Sequence, residues 1–163
     1  MVFDNCYNLS MPLKREKQPD VLLVNRAIVL DTNGKILLIQ RSSIDRWQPG
    51  KWEFPGGKLE QNEDISSSLQ NEVFQETGLK CQIITRIACV ESRILETGSY
   101  QGSTYVGLTG IVKTDNCKVS LSNEHDDFRW VSIDKPWGSN LTPETLHAIK
   151  VLSKKLSDLM ARP

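Results

Sequence analysis

Hydrophobic residues fall in short runs separated by polar breaks, and the runs keep two different periods. Residues 21–31, VLLVNRAIVLD, form a β-rich run, and residues 36–41, ILLIQR, a second. The TNGK between them carries Asn-Gly, a strong hairpin signal, so the two predict an antiparallel pair. A loop follows, SSIDRWQPGK, with Pro-Gly turn chemistry, then a short strand, WEF, broken by PGG. From residue 65 the period changes to that of a helix. Asp64 is placed as its N-cap, Thr77 as its end and Gly78 as its C′ glycine. The spacing then predicts a long, bent strand over 80–94 and another over 103–113, whose glycines mark a bulge or a close approach. After a polar loop comes a short strand at 128–132. The last element is a helix capped by Thr142, with Pro143 at its first position. Leu146, Ile149, Leu152 and Leu156 are its expected core face. Residues 1–19 are polar and proline-bearing and read as a loosely ordered lead-in; residues 20–163 read as one domain. Strands interleaved with helices and hairpins predict a mixed β-sheet covered by helices.

The first helix is unusual. At about 100° per residue, with Glu72 set at zero, Ile65 falls near roughly 20°, Glu76 near 40°, Leu69 near 60° and Val73 near 100°. The two acids therefore share the apolar arc. An ionised carboxylate without a partner in a low-dielectric site costs several kcal/mol, and a second beside it costs more. Partner cations, protonation or a divalent metal would each relieve this. Carboxylates one turn apart can share a hard ion such as Mg²⁺, which takes phosphate oxygens as further ligands. The preceding FPGGKLE supplies two glycines whose backbone can approach an ion or a phosphate closely. Lys58 and Arg41 lie nearby in sequence and carry the charge to neutralise a phosphate.

Composition narrows the classes. Twenty basic and twenty acidic residues give a formal net charge of zero, which speaks against a general nucleic-acid binder. Four scattered cysteines and two histidines provide no zinc pattern and read as free thiols of a reducing compartment. No apolar run reaches membrane-spanning length and no signal peptide is recognised at the start, so the expectation is a cytoplasmic protein without a membrane partner.

The region from Gly57 to Leu79 resembles the signature box of the Nudix (MutT-like) hydrolases, G-x5-E-x7-R-E-U-x-E-E-x-G-U, with U aliphatic. Here the box reads Gly57, Glu63, Asn71, Glu72, Val73, Gln75, Glu76, Gly78 and Leu79, and seven of its nine defined positions match without a gap. WEFPGGK and the surrounding strands are also similar to this family, over roughly residues 21–156. The resemblance implies a Nudix α/β/α sandwich and Mg²⁺-dependent hydrolysis of a nucleoside diphosphate linked to another moiety, with Mn²⁺ as a substitute ion. It implies metal ligation by Glu72, Glu76 and the carbonyl of Gly57, with Gln75 as a weaker contributor. Glu124, on the loop before the late strand, is the implied catalytic carboxylate beside Glu72 and Glu76. Arg41, Lys58, Trp137 and Asn140 are the candidate substrate contacts. Trp47, Trp52 and His125 are further stacking candidates, with Trp52 read as core. Two positions depart from the box. Asn71 replaces the arginine that orients the neighbouring glutamate in the family. Gln75 keeps a carbonyl but loses a charge. The favoured substrate is a nucleoside triphosphate, ordinary or oxidised. ADP-ribose or a nucleotide sugar is the alternative, and a non-catalytic nucleotide-binding module is a third reading. The partner is a small nucleotide, and the assembly a monomer or homodimer.

Overall fold

The computed structural model describes residues 20–97, 100–132, 138 and 140–160, the last seven of these by backbone alone. The expected lead-in and Trp137 lie outside the described residues. Strand β1 (Val21–Leu30) pairs antiparallel with β2 (Ile36–Arg41) across the Asn-Gly turn, where Asp31 Oδ1 accepts from the Asn33 and Lys35 N–H groups. Gly34 takes the left-handed conformation that this turn requires, φ 72°. β2 pairs antiparallel with both β3 (Trp52–Glu53) and β7 (His125–Val131). β4 (Gly56–Lys58) lies antiparallel on β1. The remaining strands are β5 (Gln82–Ile94) and β6 (Thr104–Lys113). β1 and β6 run parallel and every other pairing among these strands is antiparallel, so the sheet is mixed, in the order β3-β2-β1-β6-β5.

Strand alternation divides the core in two. Ala27, Val29, Leu37 and Ile39 face helix α1 (Ile65–Thr77), packing with Leu69 and Val73. Their neighbours Ile28, Leu30, Ile36 and Leu38 face helix α2 (Pro143–Met160), with Ala148, Ile149 and Leu152. A sheet covered on both faces explains why the strand sequences read as nearly unbroken apolar runs. The expected α/β/α sandwich is the observed one. Among the described residues no helix is long and apolar enough to cross a membrane.

Several local expectations need correction. Leu146 is 41% exposed, not core. The buried stripe of α2 begins at Glu144 and Thr145, and the Thr145 hydroxyl accepts from the Phe54 N–H and meets Thr142 Oγ1. A small polar residue thus holds the position that the leucine spacing had assigned one place later. β7 begins at His125 rather than at Phe128. The PGG break contains a strand of its own, β4. β5 is bent as expected, with register shifts between Ile83 and Thr85 and between Thr85 and Cys89. Opposite this bend, a β-carbon on Gly110 would lie 2.7 Å from the Arg86 carbonyl oxygen, the close approach that its glycines signalled.

Candidate active site

The centre is the short strand β4. It pairs Gly56 with Arg26 and Gly57 with Asn25. A β-carbon on Gly56 would stand 2.2 Å from the Asn25 carbonyl oxygen, so only glycine fits this approach to β1. A β-carbon on Gly57 would stand 2.5 Å from Oε1 of Glu72, so that carboxylate rests against bare backbone.

Helix α1 brings the acids there. Asp64 caps it, its carboxylate accepting from the N–H groups of Ser66 and Ser67 at 3.0 Å. Gly78 ends it in the left-handed conformation, φ 70°, and donates to the Phe74 carbonyl. Asn25 Nδ2 donates to the Ile65 carbonyl and ties the first turn to β1. With both ends held, Glu72 is half-buried and Glu76 buried at 8% exposure. Glu76 Oε2 accepts from the Gly56 N–H at 2.8 Å.

The loop before β7 closes the other side. Ser120 and Ser122 donate from their N–H groups to the carbonyls of Thr77 and Glu76, and Ser42 donates to the Glu124 carbonyl. This seats Glu124 at the rim of a cleft of about 560 Å³ that Glu60, Glu63, Glu72, Glu76 and Lys58 also line. Five carboxylates with one ammonium make a strongly negative space. Burial pushes the Glu72 carboxyl above its ordinary range, and Glu63, Glu124 and Glu60 add to the rise. Burial pushes Glu76 well above it; the Gly56 N–H opposes the rise, while Glu53, Glu72 and Glu124 reinforce it.

This donor set suits a hard divalent cation. It offers carboxylate oxygens one helical turn apart beside a glycine backbone, and a cation would relieve the mutual repulsion. Among the described residues the acids do not already converge in threes as a closed cage. Mg²⁺ does not require one, since it uses one or two carboxylates together with waters and phosphate oxygens.

The model of the NUDIX domain matches residues 15–154. The chain belongs to the Nudix hydrolase family. It is 39% identical over 121 residues to the CTP pyrophosphohydrolase of Escherichia coli, covering 72% of this chain and 81% of that protein. It is 26% identical over 134 residues to the 8-oxo-dGDP phosphatase NUDT18 of Danio rerio, covering 82% of this chain but 37% of that longer protein. Three of the animal relatives are matched over only 32% to 40% of their length. The fold is that of the MutT protein from Methanosarcina mazei, with a TM-score of 0.68 at 23% identity over 89% of this chain and 99% of that one.

Within this Nudix chain, Gly57, Glu72, Gln75, Glu76, Glu124 and Lys58 all meet at one cleft. Arg41 does not line it. Its guanidinium is held by Glu53 Oε1 at 2.6 Å, by Asp45 and by the Trp47 carbonyl at 2.7 Å, on the wall of a neighbouring pocket. Asn140 stands apart as well, donating from Nδ2 to the Gly50 carbonyl and accepting the Trp52 N–H on its own carbonyl. Asn71, at the box arginine position, is exposed. His125 is buried beneath Glu76 and not placed to stack on a base. Its Nε2 lies 3.8 Å from Glu76 Oε1 and 3.7 Å from Glu53 Oε1, without a hydrogen-bond partner, and Nδ1 is 3.4 Å from Ser122 Oγ. Trp52 is core, as expected, with Arg129 stacked 4.2 Å from its ring centre. Arg26, Tyr100 and Tyr105, which were not among the residues expected at a site, line the neighbouring pocket with Arg41. The Asn-Arg-Ala interruption of the first apolar run was the available signal for Arg26.

Proposed function

We propose that this chain hydrolyses the pyrophosphate linkage of a nucleoside diphosphate joined to another moiety, and that its substrate is a nucleoside triphosphate, cleaved to the monophosphate and pyrophosphate. The observation that carries this reading is the pair Glu72 and Glu76 set against the Gly56–Gly57 backbone, inside an acidic cleft that adjoins a cationic, aromatic pocket. The names of the relatives, a CTP pyrophosphohydrolase and 8-oxo-dGDP phosphatases, support a nucleotide substrate.

In this reading Glu72, Glu76 and the Gly57 carbonyl hold Mg²⁺ or Mn²⁺, with the Gln75 amide oxygen at the edge. The ion supplies Lewis-acid polarisation of phosphate oxygens and of the attacking water. The Gly56 N–H fixes which way the Glu76 carboxylate points. Glu124, at the rim, orients the water and accepts its proton. Lys58 is exposed at the junction of the two spaces and offsets negative charge on the phosphates. Arg41 acts through its neighbours, holding Glu53 beneath the site.

A panel of nucleoside triphosphates, their oxidised forms, ADP-ribose and nucleotide sugars, assayed in Mg²⁺ and in Mn²⁺ with product identification, tests the proposal. Monophosphate plus pyrophosphate from a triphosphate is the expected result, lost by roughly 100-fold in Glu76→Gln. Cleavage confined to ADP-ribose or a nucleotide sugar would move the substrate class. Nucleotide binding without turnover of any member would overturn the enzyme reading and favour a binding module, the reading that Asn71 and Gln75 support.

A further inference from the structure

The pocket beside the acid cleft shares β4 with it and has a volume of about 350 Å³. Arg26 and Tyr105 line it deep in the fold, at 9% and 3% exposure, while Trp47 and Tyr100 are about two-fifths exposed. The stem of Arg26 packs on Gly56, where a β-carbon would come within 2.9 Å of its Cγ. Its Nη1 donates to the Tyr105 hydroxyl. Arg93 stacks on the Tyr105 ring at 4.4 Å and is itself paired with buried Glu144, so the tyrosine is fixed in place. Arg26 Nε is buried and has no hydrogen-bond partner. Glu53 and Glu144 act on its charge, but among the described residues no carboxylate lines the pocket. Nε itself is closed off from that space; what the pocket offers an acceptor is the Arg26 side chain that lines it, a donors-only group among aromatic rings with no carboxylate beside it.

We propose that Arg26, steadied by Tyr105, selects nucleobases that present two adjacent hydrogen-bond acceptors, guanine through O6 and N7 or cytosine through O2 and N3, over adenine and uracil. The inference rests on the nucleotide-hydrolase reading above and narrows its substrate. A guanidinium has donors only, in a planar fork that pairs with two acceptors side by side. Adenine has no two acceptors side by side, its N1 and N7 each lying next to the amino donor on C6, and uracil places an N–H between its two carbonyls. Oxidation of guanine at C8 puts a hydrogen on N7 and removes the acceptor pair, so the ordinary base is the selected one. Trp47 provides a face on which the ring stacks, and Tyr100, with Lys58 Nζ 4.5 Å from its ring centre, borders it.

The test is calorimetric binding of the α,β-methylene triphosphate analogues of the four bases to the full chain in Mg²⁺, with kcat/KM for the four natural triphosphates measured alongside. The guanine or the cytosine analogue should bind about tenfold more tightly than the adenine and uracil analogues. A 7-deazaguanine analogue loses the advantage if guanine is the base read, and a 3-deazacytosine analogue if cytosine is. Arg26→Lys should bring the base preference close to unity, and Tyr105→Phe should reduce it less. If Arg26→Lys does not fold, the deaza analogues on the unaltered chain carry the test. Equal binding of all four bases, a preference for adenine or uracil, or deaza analogues that bind like their parents would overturn the inference. Base-selective binding without turnover would sustain it while the hydrolase reading fails; turnover without base selection would do the reverse, and no binding at all would overturn both.

Discussion

The carboxylate of Glu72 occupies the space that a side chain on Gly57 would fill: a β-carbon there would lie 2.5 Å from Oε1. Backbone and acid are thus one unit. Gly57→Ala should displace the Glu72 carboxylate and lower Mn²⁺ affinity by about 10-fold or more. Because Glu72 is only half-buried, thermal stability should change little. Calorimetric Mn²⁺ titration alongside a melting curve separates the two effects; unchanged affinity would show that the carboxylate relocates freely.

Glu76 predicts how the metal-free protein responds to pH. Its folded-state carboxyl sits well above the ordinary range, so between the unfolded and folded pKa values the native state binds the extra proton. Stability is therefore greatest below the unfolded pKa and falls as pH rises through the folded one. Glu76→Gln removes this slope and should make the metal-free chain more stable than the parent at pH 8. Denaturant unfolding at pH 5 and pH 8 for both forms checks the sign.

Arg41 predicts a stability effect first. Its side chain bridges Glu53, which is 3% exposed, and Asp45. Arg41→Met leaves the Glu53 carboxylate buried without its cation and should cost roughly 2–3 kcal/mol, discounted for the partial exposure of Arg41. A chain that kept its denaturation midpoint but lost substrate affinity would mean that Arg41 serves the ligand directly.

Gln75 lines the cleft and is exposed. Gln75→Glu restores a ligand charge and should raise activity at limiting Mg²⁺ several-fold, with little change at saturation. Rates measured across a Mg²⁺ series decide this, and an unaltered metal dependence would put Gln75 away from the ion.

Local spacing made the α1 site legible. Asp64, the i,i+4 acids and Gly78 follow from helix geometry, and the glycines before them from the need for a close backbone approach. The hairpin and the mixed sheet were legible for the same reason: turn residues and period lie within a few positions of each other. Contacts between distant strands were not. Arg26 and Tyr105 meet because β1 and β6 run parallel, 79 residues apart. The partners of Arg41, Glu53 and Asp45, depend on how the loop after β2 folds back. His125 looked like an exposed loop residue because its burial comes from β7 starting earlier than its apolar pattern does. Leu146 misled because the buried positions in the first turn of α2 are taken by polar residues, Glu144 and Thr145, while Ile149 and Leu152 are core as their spacing predicts.

The central claim is that Glu72 and Glu76 hold a divalent ion against the Gly57 backbone. Anomalous diffraction from crystals soaked in Mn²⁺ tests it most directly. A peak within coordination distance of both carboxylates and the Gly57 carbonyl is the predicted result; a peak elsewhere, or none at saturating Mn²⁺, would contradict it.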